Sequence, residues 1–341
     1  MEDRRSAGAA MRGHIQLFRL NTEEHITMWL PLLVLLGLLF LYRRYRHGLI
    51  LENLTDKYVF ITGCDTGFGN LLAKQLDKRG MRVLAACLTD HGAEELKKET
   101  STRLQTILLD VTNSQSVSAA AEWVNSIVLD TGLWGLVNNA GISIPTALNE
   151  LLTKDDFARI FNVNLLGLID VTLKMLPIIR KAQGRVVNVA SIAGRIAVCG
   201  GGYCISKYGV EAFSDSLRRE ISRFGVKVSI IEPGCFKTFI SSPERIIEKL
   251  HELWEMASEE IRCAYGQKHF DKYCKQFEAF SNLNPKLHQV TDCMEHALTA
   301  VYPQTRYSAG LDAKLYFIPL SYCPTVIADF FFPQGPESCG F

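Results

Sequence analysis

The 341-residue chain lacks an excess of either charge; 37 Lys and Arg against 36 Asp and Glu leave a net charge of +1. A nucleic-acid-binding protein would show a basic excess, so that partner class is set aside. Metal-ligand spacing is lacking as well. No C-x-x-C or H-E-x-x-H occurs, and Cys293 with His296 has no second ligand pair, so no metal site is expected. The ten cysteines are scattered from Cys64 to Cys339 without the spacing of a disulfide framework. In a chain this long they read as reduced thiols in a cytosol-facing protein. Internal repeats and low-complexity tracts are missing too, which excludes stacked-repeat architectures.

What is present is apolar. Hydrophobic residues make up 48% of the chain and mean hydropathy is +0.07, which suits a packed α/β core with a membranous addition. Residues 1–27 form a polar extension of mixed charge. The stretch 28–42 then carries no charge, has Trp29 and Tyr42 at its edges, and is followed at once by Arg43, Arg44 and Arg46. A cleaved signal peptide would carry its charge before the run and small residues after it. The pattern predicts a membrane anchor over 28–42 and a basic linker over 43–55. The arginines put the following domain on the cytosolic side.

From Lys57 onward, short apolar strands alternate with helical stretches. Strands are expected at Tyr58–Thr62, Val83–Leu88, Leu104–Leu109, Gly135–Asn139, Arg185–Ala190 and Lys227–Ile231. Helices are expected between them: Gly67–Gly80, Glu94–Glu99, Ser114–Leu129 with a serine cap, two from about Lys154 to Lys181, and one from Gly202 to about Phe224. This alternation predicts an α/β fold, a Rossmann-type doubly wound parallel sheet. Residues 243–284 depart from the rhythm as a helical lid, whose apolar side chains either pack as core or line a pocket. Ala313–Leu320 reads as a last strand, and 321–341 as an apolar tail.

Chemistry concentrates in a few places. Thr62-Gly63-Cys64-Asp65-Thr66-Gly67-Phe68-Gly69 joins the first strand to the first helix. Glycines there allow a tight turn and close approach of a pyrophosphate to the helix N-terminus. After the second strand, an acidic residue would hold a ribose 2′-hydroxyl and an arginine a 2′-phosphate. The stretch Ala86–Asp90 has no Lys or Arg, and Asp90 is close, so NAD is favoured over NADP. Asp110 and Val111 follow the third strand; Asp110 either meets the adenine edge or caps a helix. Tyr203 and Lys207, four apart on a helix, share one face. A cation beside the phenol lowers its pKa and makes Tyr203 a candidate general base.

With Asn138-Asn139-Ala140-Gly141, Asn164, Ser191 twelve residues before Tyr203, and Pro233-Gly234 with Thr238, the chain resembles the short-chain dehydrogenases/reductases. Gly132–Gly141, Ser214–Glu220 and the short anchor make it similar to the membrane-bound retinol and hydroxysteroid dehydrogenases of that family. The resemblance implies that Tyr203 takes the hydroxyl proton and that Ser191 orients the substrate oxygen. Lys207 would lower the Tyr203 pKa and bind the nicotinamide ribose. Asn164 would hold a water linking Lys207 to solvent. The glycine-loop residues and Asp90, Asp110, Val111, Asn138 through Gly141, Pro233, Gly234 and Thr238 would hold NAD. The implied substrate is a lipophilic alcohol, either retinol or a hydroxysteroid, and the implied location is the endoplasmic reticulum membrane. A homo-oligomer is compatible with it. Two alternatives stay open: an NADPH-dependent reductase, and a catalytically silent dinucleotide sensor or scaffold. Cys64, Cys199 and Cys204 read as small space-fillers.

Overall fold

The computed structural model describes residues 29–279 and 283–332. The polar extension and the end of the tail lie outside the described residues. The chain divides into two units. In the first, helix α1 covers 29–48, and Ile50 pairs antiparallel with Ala300. Val301 N–H donates to the Leu49 carbonyl at 2.8 Å, and the Arg46 guanidinium lies 3.8 Å from the Tyr302 ring centroid. The basic linker expected from residue 43 is therefore partly helical. Arg43, Arg44 and Arg46 are good helix formers, and neither Gly nor Pro lies between Tyr42 and Gly48.

The second unit carries a seven-stranded parallel sheet ordered β3-β2-β1-β4-β5-β6-β7. Its strands are β1 (Tyr58–Thr62), β2 (Arg82–Cys87), β3 (Gln105–Leu108), β4 (Gly135–Asn138), β5 (Arg185–Val189), β6 (Lys227–Pro233) and β7 (Arg306–Ala309). Alternate residues feed two cores, because strand side chains point to opposite faces. Val59 and Ile61 of β1 join Val83 and Ala85 of β2 beneath α2 (Gly67–Lys78) and α11 (His288–Thr299). Phe60 and Leu84 join Leu136 and Val186 on the other face, under α4 (Ser114–Val128) and α6 (Leu168–Lys181). Strand order reverses between β1 and β4, the position where open α/β sheets bind ligands.

Three elements differ from expectation. The two helices after Lys154 form one continuous rod, α5 (Lys154–Phe161) and α6 joined by a π turn at Asn162–Gly167. By length and composition this rod could cross a membrane, yet Val171, Met175 and Ile179 are buried in the second core. The cap of α4 is Asn113, whose side chain accepts from Gln115 and Ser116 N–H, and not Ser114. Ala313–Leu320 is helical, a π turn leading into α12 (Ile318–Leu320). Ala313, Phe317 and Leu320 are its buried residues, a spacing of four and three that fits a helix rather than alternation. The last strand is β7, which ends at Ala309, just upstream. In the tail, α13 (Thr325–Phe331) packs Ala328 and Phe332 beside Phe317.

Behind the sheet's far edge lies a charge cluster. Arg306 on β7 donates to Glu211 and Asp215, both at 2.9 Å, and Arg195 pairs with Glu232 at 2.9 Å. Glu211 and Glu232 are on α7 (Gly202–Ile221) and β6, and both are buried. Burial first, then the Glu232 charge, push the Glu211 carboxyl up to about 7 against the pull of Arg306. The folded state therefore holds a proton that the unfolded chain has released between the ordinary carboxylate range and pH 7. Glu211 contributes stability at low pH that is lost as pH rises through that window. Denaturation series across it should show stability falling in the parent and a flatter profile in Glu211→Gln; identical slopes would exclude Glu211 as the titrating group.

Candidate active site

The loop after β1 and the loop after β4 are tied together. Thr62 Oγ1 accepts from the Asn139 and Ala140 N–H groups at 3.0 and 3.1 Å, and the Asn139 amide donates to the Thr62 and Gly63 carbonyls. A Cβ on Gly69 would collide with the Gly63 carbonyl and the Asn139 side chain. Gly67 has φ +67, and open space lies where its Cβ would be. Thr66, the N-cap of α2, makes no side-chain cap, and no acidic residue sits in the first turn. The first N–H groups of α2 thus face a cradle suited to an anionic diphosphate.

A cavity of about 650 Å³ opens from this cradle. Most of the cofactor residues predicted from sequence line it: Gly63, Asp65, Thr66, Gly67, Phe68, Asp110, Val111, Asn139, Ala140, Gly141, Pro233, Gly234 and Thr238. Thr62, Gly69, Asn138 and Asn164 stand behind the wall. Asn138 is buried, donating to Thr172 Oγ1 and Asn188 Oδ1. Asp90 is exposed in the first turn of α3 (Asp90–Lys98) and outside the lining. The carboxylate that reaches the cavity beside β2 is Asp65, which accepts from the Leu88 and Thr89 N–H groups at 2.8 and 3.0 Å. Sequence pointed to Asp90 because it follows the strand; the turn after β2 carries it away into a helix. Asp110 lines the cavity while accepting from Thr112 N–H at 2.9 Å, and leaves the α4 cap to Asn113.

At the other end, Tyr203 and Lys207 rise from α7 and Ser191 ends the loop after β5, all three in the cavity wall. Lys207 Nζ donates to the Val189 carbonyl at 2.8 Å and lies 5.8 Å from the Tyr203 ring centroid. Asn164 comes from the π turn, a helix irregularity common at functional positions. It clasps the Ile142 backbone with both amide groups at 2.8 Å and donates to Ser206 Oγ. A Cβ on Gly141 would sit 3.3 Å from Asn164 Oδ1 and 3.8 Å from Lys207 Nζ, so the three converge.

Burial dominates the electrostatics. It pushes the Tyr203 phenol up to about 12, offset in part by a hydrogen bond with Ser191, and holds Lys207 down to about 8. A lowered Tyr203 was expected; in this geometry desolvation outweighs the ammonium, which is directed at Val189.

The remaining wall comes from α8 (Pro243–Met256) and α10 (Gln267–Ala279). Both readings of these helices hold. Leu250, Trp254 and Phe270 make a core of their own, with the Trp254 and Phe270 rings stacked 4.4 Å apart. Ile246, Tyr273 and Phe277 face the cavity. Arg245 and Gln276 also line it; no sequence signal distinguished them from a solvated helix face.

The family model for short chain dehydrogenases matches residues 57–248. The chain belongs to the short-chain dehydrogenase family. Among curated proteins, human retinol dehydrogenase 16 is 61% identical over 303 residues, covering 89% of this chain and 96% of that protein. Rat retinol dehydrogenase 7 is 60% identical with the same coverage. Human 17-beta-hydroxysteroid dehydrogenase type 6 is 57% identical over 304 residues, again 89% and 96%. A short chain dehydrogenase/reductase from Burkholderia phymatum, solved in complex with NAD, superposes with a TM-score of 0.64. At 21% identity, covering 84% of this chain and 99% of that one, it shows the shared fold. This short-chain dehydrogenase is thus an oxidoreductase that uses NAD or NADP, similar to the retinol and hydroxysteroid members. Gly69→Ala should weaken dinucleotide binding at least about tenfold (1.4 kcal/mol). The readout is the loss of the thermal shift that the dinucleotide gives the parent; an undiminished shift would mean the loop is not the phosphate cradle.

Proposed function

We propose that the protein oxidises a lipophilic alcohol, a retinoid or a hydroxysteroid, with NAD, using Tyr203 as the base. The observation that carries this is a single cavity wall on which the glycine-loop cradle, Ser191, Tyr203 and Lys207 meet apolar side chains of the lid. Relatives about 60% identical are named for both retinol and hydroxysteroid oxidation, and an apolar chamber of this size suits either.

Ser191 Oγ, held by Ala193 N–H at 3.1 Å, orients the substrate oxygen by hydrogen bonding. Tyr203 accepts the hydroxyl proton. Its phenolate is costly in a buried site and is stabilised by positive charge beside it; Lys207 is the side chain that carries such charge. Accepting the hydride that leaves the carbinol carbon is the chemistry that the nicotinamide would supply when bound. Asn164 keeps the Ile142 backbone and Ser206 in register and so supports the wall behind Lys207. Asp65, not Asp90, is the acid that disfavours a 2′-phosphate, because a carboxylate in that position repels one.

We also place α1 in a bilayer. Every large apolar side chain from Trp29 to Tyr42 is exposed; this uncharged part of α1 spans about 21 Å at the helical rise, and Arg43, Arg44 and Arg46 follow it at the level of the headgroups. The endoplasmic reticulum is the membrane proposed, with the dehydrogenase unit in the cytosol. Carbonate-washed membranes should retain the full chain and release a form lacking 1–48; equal retention of both would remove α1 from that role.

The deciding assay is oxidation of all-trans-retinol and of a 3α-hydroxysteroid by membranes containing the protein, with NAD and with NADP. Tyr203→Phe should lower kcat by about 10²–10⁴-fold while dinucleotide binding persists. Turnover unaffected by this change would remove Tyr203 as the base, and binding without turnover in the parent would favour a sensor. Asp65→Ser should shift the NAD/NADP ratio of kcat/KM toward NADP by about tenfold or more; an unchanged ratio would leave Asp65 with a purely structural part.

A further inference from the structure

Two thiols stand beside Tyr203 with no part in alcohol oxidation. Cys204 is the next residue on α7 and is buried, whereas Cys199 is on the preceding loop and lines the cavity. Their sulfurs are 3.6 Å apart, close enough to share one proton. Gly200, Gly201, Gly202 and Tyr203 separate them, and Gly201 has φ +89, a conformation glycine adopts without strain. The Tyr273 hydroxyl of the lid is buried against the Gly200 backbone.

We propose that Cys199 and Cys204 are a reversible dithiol–disulfide pair, oxidised by an organic hydroperoxide that enters the substrate cavity. Its formation slows turnover by moving the loop that leads into Tyr203 at the start of α7. The two sulfurs share one proton: this contact holds Cys199 well above the usual thiol range and Cys204 down to about 6, so the charge rests on Cys204 and reaches Cys199 when the proton crosses the contact. The Cys199 thiolate attacks one peroxide oxygen; the O–O bond breaks and the alkoxide leaves as an alcohol, taking a proton. Cys204, left as a thiolate once the shared proton has gone to the alkoxide, then attacks the resulting sulfenic sulfur, forming the S–S bond and expelling hydroxide, which takes from solvent the proton released when the pair ionised and leaves as water. Two thiols are oxidised and one hydroperoxide is reduced to alcohol and water. The sulfurs must close by roughly 1.5 Å to reach bonding distance. Cys204 is fixed by its helix, so Cys199 and Gly200 move and disturb both the Tyr273 contact and the start of α7.

The consequence for turnover rests on Tyr203 acting as proton acceptor, but bond formation does not, so the two are read separately. Arg195 and Lys207 bound a single tryptic peptide that contains both cysteines. The full-length protein in detergent is treated with cumene hydroperoxide, alkylated with a maleimide and digested. The expected peptide has lost two hydrogens and takes no label. Dithiothreitol restores both labels and the rate, which had fallen at least about fivefold, as expected for a small displacement of a catalytic group. Cys199→Ser and Cys204→Ala, each read against its own untreated rate, should resist the treatment. A fallen rate with both cysteines still labelled, added oxygen on the peptide, a bridged peptide with unchanged turnover, or either variant losing rate like the parent would each overturn the proposal. If no alcohol is turned over at all, the peptide mass alone decides whether the pair forms.

Discussion

Where β1 and β4 end, two loops must be held apart from the sheet yet against each other, and Thr62 with Asn139 does this. The Thr62 hydroxyl takes two backbone N–H groups from the β4 loop, and the Asn139 amide takes two carbonyls from the β1 loop. Buried backbone groups at strand ends have no ladder partner, and leaving them unpaired is costly. These side chains satisfy four of them and, in doing so, fix the mouth of the crevice. Gly63 and Gly69 are demanded by the same closeness, since a Cβ at either would meet the opposing backbone or Asn139.

The other end of the crevice depends on exclusion of water. The lid helices have a core of their own around Trp254 and Phe270, so they can cover the cavity without giving up their packing. Cover has an electrostatic cost: it raises Tyr203 and lowers Lys207, both toward neutrality. In such a site small changes in neighbouring charge decide protonation, because Coulomb interactions strengthen as water leaves. The Cys199–Cys204 contact lies within this dry region, which is why a change of one bond there bears on Tyr203.

Much of the fold could be read from short apolar strands and intervening helices, because a parallel sheet buried on both faces needs continuous apolar runs. The misread element, Ala313–Leu320, is informative. Its apolar residues are dense enough to mimic a strand, and only Ala313, Phe317 and Leu320 turning inward while Leu315 stays 75% exposed marks a helix. Asn113 in place of Ser114 as the α4 cap is a one-residue matter that two adjacent capping side chains cannot settle locally.

For the candidate site, sequence determined the residue types at the strand ends and the four-residue spacing of Tyr203 and Lys207, because these follow from local helix and turn geometry. Only the tertiary structure decided which acid faces the cavity. Asp90 is nearer β2 along the chain, but the turn after the strand commits it to α3, while Asp65 crosses from the β1 loop to the Leu88 and Thr89 N–H groups. Tertiary structure also decided that Asn164 braces Ile142, that Arg245 and Gln276 line the chamber, and that two thiols five residues apart meet. Each of these is a contact across segments, and no local periodicity encodes a distance between segments that only packing brings together.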